Sequence, residues 1–369
     1  MVIQFRFIMG VDVGLGMLQL AAVFAFGLVG QWIGLIRRRS GYGCSAARVS
    51  VPGYDEMRYL AMIRRRDLLF APLAAQAAPP PSILVHEHIM VDFVGAATIQ
   101  PGRYDSDEVA ALALPHLKAI LALGCRRLLE CTPNFLGRDP KLLARLARES
   151  GIEIWTNTGL YGAADFKYLP DYAQRESAAS LAARWIAEAR SGIDGVKPRF
   201  IKIGVNRGPL HPLDRKLMEA AILTSRATGL TIAAHTGDGA AALEQLAMLQ
   251  AMRHSTAKWV WVHAQNERDY GIHERIARAG AWVEFDGIST KSIDRHLEGV
   301  RFMAEHRLLH RTLISQDAGW YHVGEPQGGS YRSYTSLYND FLPKIDPAWR
   351  TQLLWTNPRA AFSKGVFRF

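Results

Sequence analysis

The chain from about Pro79 to its end is predicted to be an α/β protein of the (β/α)8 TIM-barrel type, with an N-terminal leader outside the core. Three observations carry this. Short apolar runs alternate with stretches of helical periodicity, there are eight such runs, and the residues able to bind metal fall at their ends. Eight βα units in succession favour a closed parallel barrel over an open sheet.

The predicted strands are Ile83–Val85, Arg127–Cys131, Ile152–Thr156, Phe200–Ile203, Thr231–Ala234, Trp259–Val262, Trp282–Phe285 and Thr312–Ser315. Between them the helices have visible grammar. Asp105 and Glu108 are spaced as a capping box, and Val109, Leu112, Ala113, Leu117, Ile120 and Leu121 then recur at helical spacing until Gly124. Met218, Ala221, Ile222 and Ser225 form one face of a helix that Gly229 stops. Ile272, Ile276 and Ala279 do the same before Gly280.

Composition excludes several classes. Cys44, Cys125 and Cys131 include no Cys-x-x-Cys pair and no even set, which argues against a disulfide framework and a thiolate zinc site. The net charge of +10 suggests nucleic acid at first. However, residues 1–80 hold nine arginines against four acids and so supply half of it, and the remainder has no long basic run. A strand-binding groove with interleaved aromatics is not evident, so no nucleic-acid partner is expected.

Residues 1–78 carry two competing signals. Residues 13–36 form an uncharged stretch long enough to cross a bilayer, followed by Arg37-Arg38-Arg39. Then Arg64-Arg65-Arg66, the apolar run from Leu68 and an Ala75-Gln76-Ala77 cleavage signal read as a twin-arginine signal peptide over residues 62–78. The simpler account has translation start at Met62, with residues 1–61 a mis-called start and the protein exported to the periplasm. The alternatives are a membrane anchor through residues 13–36 and a cytoplasmic leader. Expression from Met62 should yield an exported protein whose mature form begins near Ala78. N-terminal sequencing that finds Met1 in a membrane fraction would favour the anchor.

The chemistry sits at the strand ends. His86 and His88 flank Glu87 just past the first strand, and in extended backbone residues two apart share a face. Lys202 lies in the fourth strand, His235 ends the fifth, His263 follows the sixth and Asp317 follows the eighth. In a parallel barrel all strand C-termini open on one face, where active sites are built. Each histidine alone is a weak signal, and His116, His254, His273, His296 and His306 are scattered without pattern. Four histidines and an aspartate at strand ends together point to a metal centre.

Residues 83–363 resemble the phosphotriesterase-like branch of the amidohydrolase superfamily. The matching stretches are Val85-His86-Glu87-His88, Gly137-Arg138-Asp139-Pro140, Thr158-Gly159-Leu160-Tyr161, Phe200-Ile201-Lys202-Ile203-Gly204, Ala234-His235-Thr236 and Ser315-Gln316-Asp317-Ala318. The resemblance implies a hydrolase with two divalent ions, usually zinc, bridged by a hydroxide. It implies that His86, His88 and Asp317 hold one ion, that His235 and His263 hold the other, and that carboxylated Lys202 bridges them. A free ammonium has no lone pair to give, whereas a carbamate offers two anionic oxygens. Asp317 is then the expected catalytic base.

Departures from the family pattern narrow the substrate. The aspartate three residues beyond the last metal histidine is here Asn266, and the histidine or arginine after Asp286 is here Gly287. Both belong to the outer machinery of phosphotriesterases and lactonases. Tyr161 matches a tyrosine that, in lactonase-like members, faces the hydroxide and the substrate. Trp320 and Tyr321, in the glycine-rich stretch after Asp317, are expected to line the substrate site. The expected partner is a small ester, lactone or phosphoester, with carboxylic esters and lactones ahead of phosphotriesters. Two rival readings are a metal-dependent deoxyribonuclease on a similar barrel, which would carry a glutamate at Lys202, and a non-catalytic envelope metal-binding barrel.

Overall fold

The computed structural model describes residues 79–363. The twin-arginine segment at 62–78 and the apolar stretch at 13–36 lie outside the described residues. Among the described residues no helix is long and apolar enough to cross a membrane.

In chain order the strands are β1 (Ser82–Glu87), β2 (Met90–Val91), β3 (Cys125–Glu130), β4 (Glu153–Trp155), β5 (Asn157–Thr158), β6 (Phe200–Val205), β7 (Ile232–Thr236), β8 (Trp259–Val262), β9 (Trp282–Phe285), β10 (Thr312–Ile314) and β11 (Tyr321–His322). The main helices are α1 (Ser106–Ala122), α2 (Pro140–Ser150), α3 (Asp171–Arg175), α4 (Ala178–Ser191), α5 (Pro212–Thr228), α6 (Gly239–Ala251), α7 (Tyr270–Arg278) and α8 (Ile293–Glu305). Parallel pairing runs β1-β3-β4 and β5-β6-β7-β8-β9-β10. The predicted third strand is therefore split at Thr156, with β4 paired to β3 and β5 paired to β6.

The eighth barrel strand, β10, meets the first through the ends of both. The Asp317 amide donates to the His86 carbonyl at 3.0 Å, and the His88 amide donates to the Ala318 carbonyl at 2.9 Å. Buried Glu87 accepts from the Ser315 hydroxyl at 2.8 Å and from the Gln316 and Ala318 amides at 3.0 and 2.8 Å. It satisfies amides that an irregular strand end would otherwise leave without partners. The result is a TIM barrel.

Alternation along the strands sorts the side chains into two cores. Ile83, Val85, Leu129, Phe200, Val260, Trp282 and Leu313 form a cluster that fills the barrel interior. Leu84, Leu128, Ile201, Ile203, Trp261 and Val283 join the larger cluster under the helices. The helix faces follow the predicted spacing, with Val109, Ala113, Leu117 and Ile120 of α1 and Met218, Ala221, Ile222 and Ser225 of α5 all buried. Each such Leu or Ile contributes about 1.5–3 kcal/mol by leaving water.

The capping box expected at α1 is only half formed. Asp105 caps the helix by accepting from the Asp107 amide, but Glu108 lies beside the Tyr321 hydroxyl instead of reaching back.

Candidate metal centre

Each candidate ligand reaches the C-terminal mouth by a different local device. In β6, Phe200 points into the barrel, so Lys202 points inward one layer above it. His235 lies two residues beyond Ala233 of the same interior cluster. Simple alternation would send His86 outward with Leu84, but an irregularity in register between Leu84 and Glu87 brings it and His88 to the site. His263 and Asp317 turn in through left-handed backbone, with φ of 63° and 49°. Non-glycine residues in that region are costly and cluster at functional sites.

The six predicted ligands meet there. His86 Nε2 lies 3.2 Å from Lys202 Nζ and 3.8 Å from Asp317 Oδ1, and His88 Nε2 lies 3.1 Å from Asp317 Oδ1. The His235 and His263 rings are 4.4 Å apart, and those of His86 and His263 are 5.0 Å apart. His86, His88 and Asp317 form one group at metal-ligand spacing. A second such group joins His86, His263 and Asp286.

The donor chemistry fits cations. Burial first, and then the charge of Lys202, lower His86 to about 3, leaving the neutral imidazole that has a lone pair to give. Burial and neighbouring positive charge likewise lower His235 well below the usual histidine range. Asp317 Oδ1 is buried without a hydrogen-bond donor. Lys202 is 2% exposed, and among the described residues no carboxylate lies within ion-pair distance of its amine. An isolated buried ammonium is expensive, so this lysine suits conversion to an anion that two cations can share.

Three of the four histidines have a buried acceptor behind them. His86 Nδ1 lies 2.9 Å from Glu284, His88 Nδ1 lies 2.8 Å from the Thr132 hydroxyl, and His263 Nδ1 lies 2.5 Å from Asp286. Thr132 in turn bonds Glu130, whose carboxyl burial raises to about 7. Such partners fix the tautomer and the ring orientation of a metal ligand. The sequence reading missed Thr132, Glu130 and Glu284. For Glu284 the available signal was a polar residue on the inward face of an otherwise apolar strand, whereas Glu130 lies between the inward Leu129 and Cys131 and Thr132 lies beyond the strand.

The cavity over these residues has a volume of about 160 Å³ and is also lined by Phe93, Cys131, Pro133, Tyr161, Tyr168 and Trp320. The Tyr161 hydroxyl sits 3.1 Å from His235 Nδ1. Gly204, in the Phe-Ile-Lys-Ile-Gly stretch, makes room for it, since a Cβ there would lie 2.6 Å from the Tyr161 ring. Trp320 packs over His88 at 4.1 Å and stacks on Phe93, itself 40% exposed at the rim.

Tyr321 does not line the cavity. Strand β11 pairs with β2, Trp320 just before it turns through left-handed backbone with φ of 75°, and the Tyr321 ring lies against Gly328 instead. Among the scattered histidines, His273 and His296 are buried and bond the Ala264 and Asp286 carbonyls at 2.8 and 2.6 Å. A larger cavity of about 480 Å³ lies over Arg103, Tyr104 and Arg138, and both arginines there are paired with acids.

Comparison with known proteins accords with this geometry. The phosphotriesterase family model matches residues 76–359. The phosphotriesterase homology protein of Escherichia coli is 28% identical over 268 residues, covering 71% of this chain and 89% of that protein. An aryldialkylphosphatase of Saccharolobus solfataricus is 23% identical over 278 residues, covering 74% of this chain and 84% of its own. The crystal structure of the E. coli protein, with phosphate in its active site, superposes with a TM-score of 0.66 at 26% identity, covering 77% of this chain and 99% of that one. A barrel whose strand ends bring four histidines, a lysine and an aspartate to one mouth, matched along most of its length by that model, belongs to the phosphotriesterase family of hydrolases.

Proposed function

We propose that the protein is a two-metal hydrolase of neutral ester-like bonds, turning over carboxylic esters and lactones faster than phosphotriesters. His86, His88 and Asp317 would hold one divalent ion, His235 and His263 the other, with carboxylated Lys202 between them. Zinc is the proposed metal. When bound, the pair supplies a hydroxide near neutral pH and a Lewis acid for the substrate oxygen.

The protein's own groups do the rest. Asp317 accepts the proton released on attack. Phe93, Tyr168 and Trp320 present aromatic faces to the substrate and exclude water, and among the described residues no arginine lines the cavity to select a charged phosphate or carboxylate. The small, aromatic cavity also suits a small molecule over a nucleic-acid strand.

The observation that carries the preference is the Tyr161 hydroxyl, placed against His235 inside the cavity. Burial first, and then Asp317, raise its pKa, so the phenol stays protonated and can donate to a developing oxyanion. Such a bond is worth about 3–4 kcal/mol, on the order of a hundredfold or more in rate. The outer residues Asn266 and Gly287 offer no titratable side chain to relay protons.

The test compares kcat/KM for an aryl ester, a simple lactone and a diethyl aryl phosphotriester under one metal condition. The ester or lactone should lead, and Tyr161→Phe should lower its kcat by about a hundredfold or more with little change in KM. A clear phosphotriester lead, or an unaltered Tyr161→Phe enzyme, would overturn the preference.

A further inference from the structure

We propose that Glu284 is a positioning residue for His86, holding its imidazole with the proton on Nδ1 so that Nε2 is turned to the metal centre. This rests on the metal-site reading above and extends it to a residue outside the ligand set.

Strand β9 reads Trp282-Val283-Glu284-Phe285. Trp282 belongs to the barrel interior and Val283 to the outer core, so Glu284 points inward one layer above Trp282. Asp286 follows on the same side. Glu284 is fully buried beside Asp286, with its Oε1 2.9 Å from His86 Nδ1. No lysine or arginine pairs with it among the described residues, and Oε2 has no partner. A buried carboxyl with one oxygen unmatched is expensive, and a hydrophobic residue on this interior face would cost less. Stability therefore does not account for it.

The neighbouring acid is committed mainly to other donors. Asp286 accepts from His263 Nδ1 at 2.5 Å, from the His263 amide at 2.9 Å and from Gln265 Nε2 at 2.8 Å. Its approach to His86 Nδ1 is longer, at 3.3 Å. The two acids thus divide the work, with Asp286 orienting His263 and Glu284 orienting His86. A neutral imidazole carries one proton. With an acceptor behind Nδ1 that proton sits there, and the lone pair is left on Nε2, the atom nearest Lys202 and Asp317.

The experiment uses the full-length protein, zinc and bicarbonate, with Glu284→Gln, which keeps an acceptor oxygen, and Glu284→Leu, which removes it. Zinc affinity is read by chelator competition, the His86 tautomer by 15N-resolved NMR of labelled histidine, and metal-free stability by thermal melting. Glu284→Leu should bind the weaker of two zinc ions about 10–100-fold less tightly, while Glu284→Gln stays within a fewfold of wild type. The signature of Nδ1–H on His86 should persist in Glu284→Gln and be lost in Glu284→Leu, whose metal-free melting temperature should not fall below wild type. Wild-type zinc affinity in Glu284→Leu, or equal losses in both variants with lowered metal-free melting, would overturn the positioning role and leave the metal centre standing. A wild-type protein that takes up no zinc would overturn the metal-site reading, and this inference with it.

Discussion

Lys202→Ala should lose more than about a hundredfold in turnover and bind divalent metal poorly, since even partners one shell further out are worth 10–100-fold at such centres. Activity should partly return when a small carboxylic acid is supplied with the metal. Lys202 is the one lysine or arginine among the described residues that line the metal cavity, its amine 3.2 Å from His86 Nε2. As an ammonium it would repel the ions its neighbours are built to hold. As a carbamate it presents two oxygens at the same point. A short carboxylate entering the space left by alanine offers the same pair of oxygens, which is why rescue should depend on acid concentration. Metal analysis and kinetics on the variant, with and without added propionate, decide it. Wild-type-like turnover without added acid would exclude a bridging role for Lys202.

The barrel was legible because its inward and outward faces are both apolar, so each strand is a continuous hydrophobic run bounded by turn residues. Trp259–Val262 and Trp282–Phe285 match the predicted bounds. What escaped was local geometry that the pattern does not encode. The split at Thr156 depends on which neighbour each half of the third strand pairs with. Spacing placed His86 and His88 on a common face but could not show that a break in register turns that face inward. Adjacent aromatics at 320 and 321 looked like one substrate wall, yet Trp320 turns through left-handed backbone just before β11, and Tyr321 ends near Glu108. Glu284 was hidden because a glutamate between Val283 and Phe285 carries no motif, and its meaning comes from a histidine 198 positions away. The residues that converge at the barrel mouth were legible as a set because they fall at strand ends. Their supporting groups were not, because they come from other strands at unrelated sequence distances.

Asp317→Asn should keep the fold and cut turnover by at least about a hundredfold, the scale expected when a general base is removed. The residue is held in left-handed backbone between the β10 end and Trp320, whose indole donates to the Asp317 carbonyl at 2.7 Å. Asparagine tolerates that conformation and has nearly the same shape, so the backbone need not move. Burial alone would raise the Asp317 carboxyl, but His88, His86 and His263 outweigh it and hold the group below the usual carboxylate range. It is therefore ionised at neutral pH and able to accept a proton, whereas an amide cannot. Its side chain is 21% exposed, which opens a direct route for that proton to solvent. That route matters here because Asn266 and Gly287 carry no titratable group to pass it on. Measuring kcat together with metal content separates the two roles of the residue. A fall in kcat with both ions retained identifies the base. A loss of metal in proportion to the loss of rate would reduce Asp317 to a ligand, and wild-type turnover would remove it from the reaction altogether.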